Sequence, residues 1–366
     1  MIVEVVNELR ALEALREEWD ALADRFDTPL LRSAFFLAAA RTYGAGEELA
    51  VFTIRRDGRL VAAAPLVVDR SGLVPRLRPL AFQDKEPDGF LYEDEAALTA
   101  LCAAVLGAGR PLVLARLDPG SPEWRVLARD AGRYGMTLLR PAANSCYRTV
   151  LAGSAAAFEA AMDSKKRSRL RRMRNGLEQH GEVTFEVTSP DEAAVDAAVE
   201  EVARVEAASW KLRSGTAMAV SPERSACMTE HARLAAREGM LRLSALRLNG
   251  ETIAAQLDLE YAGRLWGQKM GADERWAKYG PGILSNHELM KWASDQGLSA
   301  LEHLGFAEEW QRRWPFEARE FGAFRFYPRR ATAALAFGAD AAAFVTRGVR
   351  ARAVARARAA EKARAA

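Results

Sequence analysis

The chain has 366 residues, 49% hydrophobic and 28% charged, the balance of a globular protein with enough apolar surface for two cores of ordinary size. With 52 basic against 49 acidic residues the net charge is only +3, which excludes a globally basic nucleic-acid binder and makes any basic patch local. Cys102, Cys146 and Cys227 are too few and too scattered for a disulfide framework or a CxxC metal site, so a reducing cytoplasm and no metal are expected.

The first residues lack a basic region followed by an apolar stretch, and no long apolar run occurs, so neither signal-peptide export nor a membrane span is expected. Amphipathic spacing predicts helices over Ala11 to Ala23 and Arg32 to Tyr43. Leu49 to Ile54 and Leu60 to Val68 read as strands joined at Asp57-Gly58, a pair that suits the positive φ of a tight hairpin. The chain then passes through Leu80 to Asp84 and Pro87-Asp88-Gly89 to a helix near Ala96, with no glycine cradle at its start. A helix after Pro122 and strands Met136 to Arg140 and Tyr147 to Leu151 close the first half. Ala152 to Ala156 relaxes the pattern. The expected division is therefore residues 1–152, 153–330 and an Ala- and Arg-rich helical tail, 331–366.

The second half opens with a basic segment, Ser164 to Gly181, in which seven cations fall between Lys165 and Arg174. An amphipathic helix is predicted over Asp191 to Ser209. Strands Leu241 to Leu248 and Thr252 to Glu260 flank Asn249-Gly250 and repeat the first half's hairpin, with Ala254-Ala255 in the place of Ala62-Ala63. The meander leads to Lys278-Tyr279-Gly280-Pro281-Gly282, a helix from near Ile283 to Asp295, and strands Ala300 to Leu304 and Glu320 to Tyr327. Strand, glycine-rich turn and helix is an arrangement whose unpaired N–H groups and helix dipole attract a phosphate, and glycines let it approach. Only the second half has such a turn.

This order resembles the acyl-CoA-binding core of the GNAT N-acyltransferase superfamily, and roughly residues 10 to 327 are similar to its tandem CelD-like or FemAB-like branch. The stretches that carry the resemblance are Glu18 to Leu22, Ser164 to Gly181, Ala208-Ser209-Trp210-Lys211, the hairpin at Asn249-Gly250 and Tyr279 to Gly282. It implies an α/β fold of two tandem GNAT-like domains with mixed, mostly antiparallel sheets, plus a basic C-terminal helix. The second domain would bind the acyl donor. Acyl-CoA is the implied co-substrate, with Lys278, Tyr279, Gly280, Gly282 and His287 around its diphosphate and pantetheine. The implied acceptor is an envelope-related amine: an amino sugar, a polysaccharide precursor or a long-chain lipidic amine such as a sphingoid base. Two positions depart from the family: Ala277 replaces the usual Gln or Arg before the turn, and Trp310-Gln311 stands where the branch has Tyr-Lys.

Acyl transfer to an amine needs a proton acceptor, a polarised carbonyl and a departing thiol. Glu206 is the first candidate base: lying four residues from both Val202 and Trp210 it leans toward the covered face of its helix, although it also suits a helix margin. His303 follows the strand pattern of Leu301 to Leu304, as a base or as a structural His. Glu302 occupies a position where the family tends to be acidic, which implies contact with the acceptor amine. His287 shares a helix face with Ile283 and Met290, a spacing that serves core packing equally. Trp210 and Lys211 line an acyl or acceptor channel, or else form core and a helix-end charge. Gln256, Asp258, Gln268 and Lys269 alternate along the meander, so some face a cleft, and Trp310 joins them as a substrate contact through the resemblance. No cysteine has a nucleophile setting, so direct transfer is expected.

Two further readings stay open: an aminoacyl-tRNA-dependent transferase that uses the basic helix on RNA, and an inert tandem scaffold motivated by Ala277 and Trp310-Gln311. The basic segments lack interleaved aromatics and zinc motifs, so nucleic acid is not expected as a partner. The tail carries six arginines and Lys362 between Arg347 and Arg364, beside Phe337, Phe344 and Val345. It reads as a solvated helix or as one that lies on an anionic membrane, which would place the protein in the cytoplasm or at the inner face of the plasma membrane.

Overall fold

The computed structural model describes residues 1–42, 47–80 and 87–344. In the first half, Ile2–Val6 (β1) precedes helices Leu9–Ala14 (α1), Arg16–Ala23 (α2) and Ser33–Thr42 (α3). Strands Glu47–Leu49 (β2), Val51–Arg56 (β3), Arg59–Ala64 (β4), Leu66–Asp69 (β5), Arg76–Pro79 (β6) and Leu91–Tyr92 (β7) follow. Helix Glu95–Gly107 (α4), strand Leu112–Leu117 (β8), helix Pro122–Tyr134 (α5) and strand Gly135–Val150 (β9) complete the half. The second half runs through Ala155–Ala160 (α6), Ser164–Glu178 (α7), Val183–Thr188 (β10), Val195–Ala207 (α8), Trp210–Arg213 (α9) and Pro222–Arg237 (α10). Then come Leu241–Leu248 (β11), Glu251–Tyr261 (β12), Arg264–Ala272 (β13), Pro281–Asp295 (α11), Ala300–Glu302 (β14) and Phe316–Pro328 (β15).

The hairpin signals are borne out. Asp57 and Gly58, and Asn249 and Gly250, all have positive φ, the backbone that a right-twisted two-residue turn requires. The pairings Thr53↔Ala63 and Ala245↔Ala255 make the two hairpins equivalent, and each has a register shift one step on. One expected strand, Leu60 to Val68, is two. Pro65 has no N–H to offer a ladder, so the chain leaves one sheet after Ala64 and joins another at Leu66. Conversely, Met136 to Arg140 and Tyr147 to Leu151, expected as separate strands, belong to the continuous β9, because β15 pairs along it and absorbs the excess residues in one register shift between Phe321 and Ala323. Helix α10 was not anticipated. Its start is marked by Ser221, whose Oγ accepts the Arg224 N–H at 3.2 Å, and by Pro222 in the first turn.

Strands β1, β3, β4 and β7 make a small antiparallel sheet, while eleven strands form one sheet in the order β10-β11-β12-β13-β14-β9-β15-β8-β6-β5-β2. The halves therefore share a sheet: β14 pairs with β9, and β15 from the end of the chain lies between β9 and β8. Phe324 and Phe326 of β15 complete the apolar core under α4 and α5. A second core joins the halves directly, packing Trp19, Phe35 and Phe36 of α2 and α3 with Val199 of α8, Met228 of α10 and Leu257 of β12. The third lies between α6, α7, α11 and the other face of β10 to β14, with Phe158, Leu289 and Trp314 buried in it. Residues 331–344 are helical and cover Tyr327 and Val74 with Ala333 and Ala336. The basic run from Arg347 to Arg364, together with Val345, Tyr43 and the stretch from Ala81 to Asp84, lies outside the described residues. Among the described residues no helix is long and apolar enough to cross a membrane.

Candidate active site

Strands β13 and β14 run parallel for three residue pairs only, from Arg264↔Ala300 to Trp266↔Glu302, and then separate. Between them opens a cleft of about 950 Å³, walled by Gly267 to Met270 on one side and His303 to Phe306 on the other. At this point β13 is bulged: Leu257 faces Lys269 while Asp258 faces Gly267, leaving Gln268 as the extra residue. Separation deprives the β13 edge of its strand partner. Side chains meet two of its carbonyls, with Lys211 Nζ donating to Met270 O at 2.6 Å and Gln268 Nε2 to Trp266 O at 3.2 Å. Both interactions engage carbonyls of this edge.

The glycine turn closes one end of the cleft. Residues Glu274–Tyr279 form a short 3-10 turn capped by Asp273, Gly280 adopts φ 60° and ψ 53°, and α11 starts at Pro281, two residues earlier than expected. A Cβ on Gly280 would come within 3.2 Å of the Met173 side chain, and one on Gly282 would lie 3.0 Å from the Ala272 Cβ. Gly282 thus lets α11 pack against β13, a requirement separate from any phosphate. Of the predicted donor contacts, Gly280 and Gly282 line the cleft, and so does Ala277. Lys278 and Tyr279 do not: Lys278 Nζ lies over the Tyr279 ring, and the Tyr279 hydroxyl bonds His180 Nε2 at 2.8 Å, pinning the turn to α7. His287 also points away. It bonds Glu159 at 3.0 Å, accepts from Trp314 Nε1 at 3.4 Å and packs on Phe158 in the third core, where burial holds its pKa below the usual range. Its neighbour Asn286 takes the cleft-facing position, one turn into the helix, and leaves Oδ1 buried without a partner.

Glu206 is fully buried on α8, and both of its oxygens are engaged. Oε1 lies 3.2 Å from Lys211 Nζ and 3.6 Å from Lys269 Nζ, and Oε2 accepts the Met218 N–H at 2.8 Å. A carboxylate so tied fixes Lys211 and Lys269 at the cleft wall. Glu302 is equally committed. Buried at the end of β14, it lies 3.2 to 3.4 Å from Arg264, Arg148 and Arg319, joining β13, β9 and β15 outside the cleft lining. His303 does line the cleft; its Nε2 lies 2.9 Å from Thr149 Oγ1, and burial pushes its pKa down to about 4, so it is neutral at neutral pH.

Asp258 differs from all of these. It is fully buried beside Gly267, accepts one hydrogen bond, from Gln256 Nε2 at 2.6 Å, and its Oδ2 has no partner. Burial without a counter-charge pushes its pKa up to about 7. Asp258 itself does not line the cleft; its partner Gln256 does, together with Gln268, Lys269, Trp210, Lys211 and Trp310, of which Trp210 is half exposed and Trp310 donates through Nε1 to Glu308 at 2.6 Å. Arg224 and Arg78 are cleft residues that sequence reasoning missed. For Arg224 a signal existed: a cation in the first turn of a helix opposes the dipole, and here its Nε is buried without a hydrogen-bond partner. Arg78 comes from β6 in the first half, and nothing local marks it. Among the described residues no cluster of His, Cys, Asp and Glu is arranged to hold a metal, and the three cysteines are buried thiols.

The family model described as an acetyltransferase (GNAT) domain matches residues 164–312, the segment that builds this cleft. No curated protein matches the chain. Among solved structures, FemX superposes with a TM-score of 0.59 at 12% identity over 89% of this chain and 97% of that one. A conserved protein of unknown function from Bacteroides thetaiotaomicron VPI-5482 gives 0.55 at 12% over 88% and 99%. The C-terminal domain of a putative lysylphosphatidylglycerol synthetase from Agrobacterium fabrum gives 0.51 at 13% over 89% and 95%. At such identities the superpositions speak for the fold, and the sequence match speaks for the domain that holds the cleft. Residues 164–312 thus match a GNAT-type acetyltransferase domain, and the chain as a whole shares its fold with FemX.

Proposed function

We propose that the protein is an N-acyltransferase that moves an acyl group from acyl-CoA to the amine of an envelope-related acceptor. The observation that carries this reading is the separation of β13 from β14 beside the start of α11: a thioester lying in the gap meets backbone donors along β13, while its diphosphate meets the turn at Gly280 to Gly282. The acceptor enters from the side of α9 and α10, where Trp210 offers an apolar face and Lys211 and Arg224 offer positive charge. Asp258, acting through a solvent molecule beside Gln256, takes the amine proton, and its elevated pKa matches that task better than the neutral, weakly basic His303. The amine nitrogen then bonds to the thioester carbon, the carbonyl oxygen draws charge toward the β13 edge, and the carbon–sulfur bond breaks, the departing thiolate receiving through the same solvent molecule the proton that Asp258 took from the amine. His303 orients the acceptor, and Glu206 holds the lysines.

Calorimetry with acetyl-CoA, a long-chain acyl-CoA and free CoA tests the donor. Saturable heat from at least one of them is expected, and no binding by any at millimolar concentration would refute the reading. A second reading, an aminoacyl donor in place of acyl-CoA, draws on the exposed cations of α7 and on the likeness to the lysylphosphatidylglycerol synthetase domain. It predicts binding of aminoacyl-tRNA that is lost on charge reversal of Arg171 and Arg172.

A further inference from the structure

Beside the main cleft, on the far side of Ile283, lies a second cavity of about 260 Å³ between α7 and the turn Glu309–Arg313. Ile283 borders both spaces, so the cavity adjoins the glycine turn. Its polar lining is almost wholly cationic: Lys166, Arg169, Arg312 and Arg313 against Glu309 alone, and Glu309 is already paired with Arg312 at 3.2 Å. Lys166 Nζ donates to Arg312 O at 3.0 Å and Arg313 Nη1 to Trp310 O at 3.1 Å, so neutral carbonyls, not carboxylates, hold these side chains in place.

Among the described residues neither Arg169 nor Arg313 has a carboxylate within ion-pair distance, although most arginines of this chain do. The pair also repel. Burial, reinforced by the charge of Arg169, holds the Arg313 guanidinium below its ordinary range. Unpaired cations brought together around a concavity are destabilising unless an anion joins them. Met162, Leu170 and Met173 line the same cavity with apolar surface, so it accepts a charged group carried on a larger organic body.

We infer that this cavity is a second anion subsite of the donor site, in which Arg169 and Arg313 take the 3′-phosphate of the ribose of a CoA-type donor while the glycine turn faces its diphosphate. The inference rests on the acyl-CoA reading above. It adds a means of selection: a donor ending in phosphopantetheine alone lacks the group that these arginines receive. A phosphomonoester dianion meeting two arginines in bidentate fashion provides both charge and geometry for that choice.

The test compares CoA with dephospho-CoA, which lacks only the 3′-phosphate, by calorimetry on the full chain and on an Arg169→Ala/Arg313→Ala variant. Wild type is expected to bind CoA at least about tenfold more tightly than dephospho-CoA, and the variant to bind the two within about twofold. Equal affinities in wild type would overturn the subsite and leave the donor reading intact. A preference that survives in the variant would also overturn it, since the discrimination would lie elsewhere. No binding of either compound by wild type would remove the donor reading and the subsite together. The wild-type comparison needs no mutation, so a folding defect in the variant cannot mask the result.

Discussion

On the mechanism proposed above, Asp258 is the residue in which the chemistry and the stability of this protein meet. Its place in an apolar strand, two residues from Gln256, is legible in the sequence as a polar alternation. Its state is not, because that depends on what surrounds it: Gln256 on one oxygen, no partner on the other and no cation within reach. Since its folded pKa of about 7 stands above the ordinary 3.8, the stability associated with its proton is fully present below about pH 4 and lost as pH rises through about 7. Asp258→Asn is therefore expected to stabilise the protein at pH 8 by up to on the order of 3 kcal/mol and to change little at pH 4, as denaturant titrations at the two pH values would show. In the same variant turnover is expected to fall roughly 100-fold, with loss of the rise in rate around pH 7. Wild-type turnover would remove Asp258 from the mechanism. Glu206 makes the complementary case: its inward lean could be read from spacing, but Lys211, Lys269 and the Met218 N–H, which occupy it, come from a neighbouring turn and a distant strand.

At the scale of elements, the glycine turn keeps its expected position but divides its labour among residues differently. Gly280 is needed for its left-handed backbone, Gly282 for the approach of α11 to β13, and Tyr279 for a latch to α7. Gly280→Ala is expected to cost about 1–2 kcal/mol in thermal or chemical unfolding, from the positive φ and from contact with Met173. A cost near zero would mean that the turn relaxes freely. Gly282→Val would press on Ala272, so a binding loss there reports packing as much as phosphate contact. Pro65 shows how one residue redirects an element: it ends β4 and sends the chain to a second sheet, a break visible in the sequence once its missing N–H is weighed against the apolar run around it.

At the scale of the whole molecule, the shared sheet makes the halves interdependent. β15 carries Phe324 and Phe326 into the first half's core, and α3 packs Phe35 edge-on to His231 of α10 at 5.4 Å between ring centres. A chain in which the last strand completes the first core should unfold as one unit. Thermal unfolding followed by tryptophan fluorescence and by far-UV circular dichroism is expected to give coincident transitions. Two separated transitions would show that the halves fold independently despite the shared strand.

The sequence by itself determined the local signals: hairpins at Asp57-Gly58 and Asn249-Gly250, the turn before α11, the basic helix α7 and the order of elements that marks the GNAT fold. These depend on backbone preference and periodicity, which act between near neighbours. Tertiary structure alone decided which candidates face the cleft, setting Asn286 inward and His287 outward on the same helix, and tying up Glu302 among Arg148, Arg264 and Arg319. It also decided that β15 belongs beside β8 and β9, and that Arg78 and Arg224 reach the site. Those outcomes depend on charge pairing, burial and strand exchange between segments up to some 200 residues apart, such as β8 at Leu117 and β15 at Gly322, for which local spacing carries no signal.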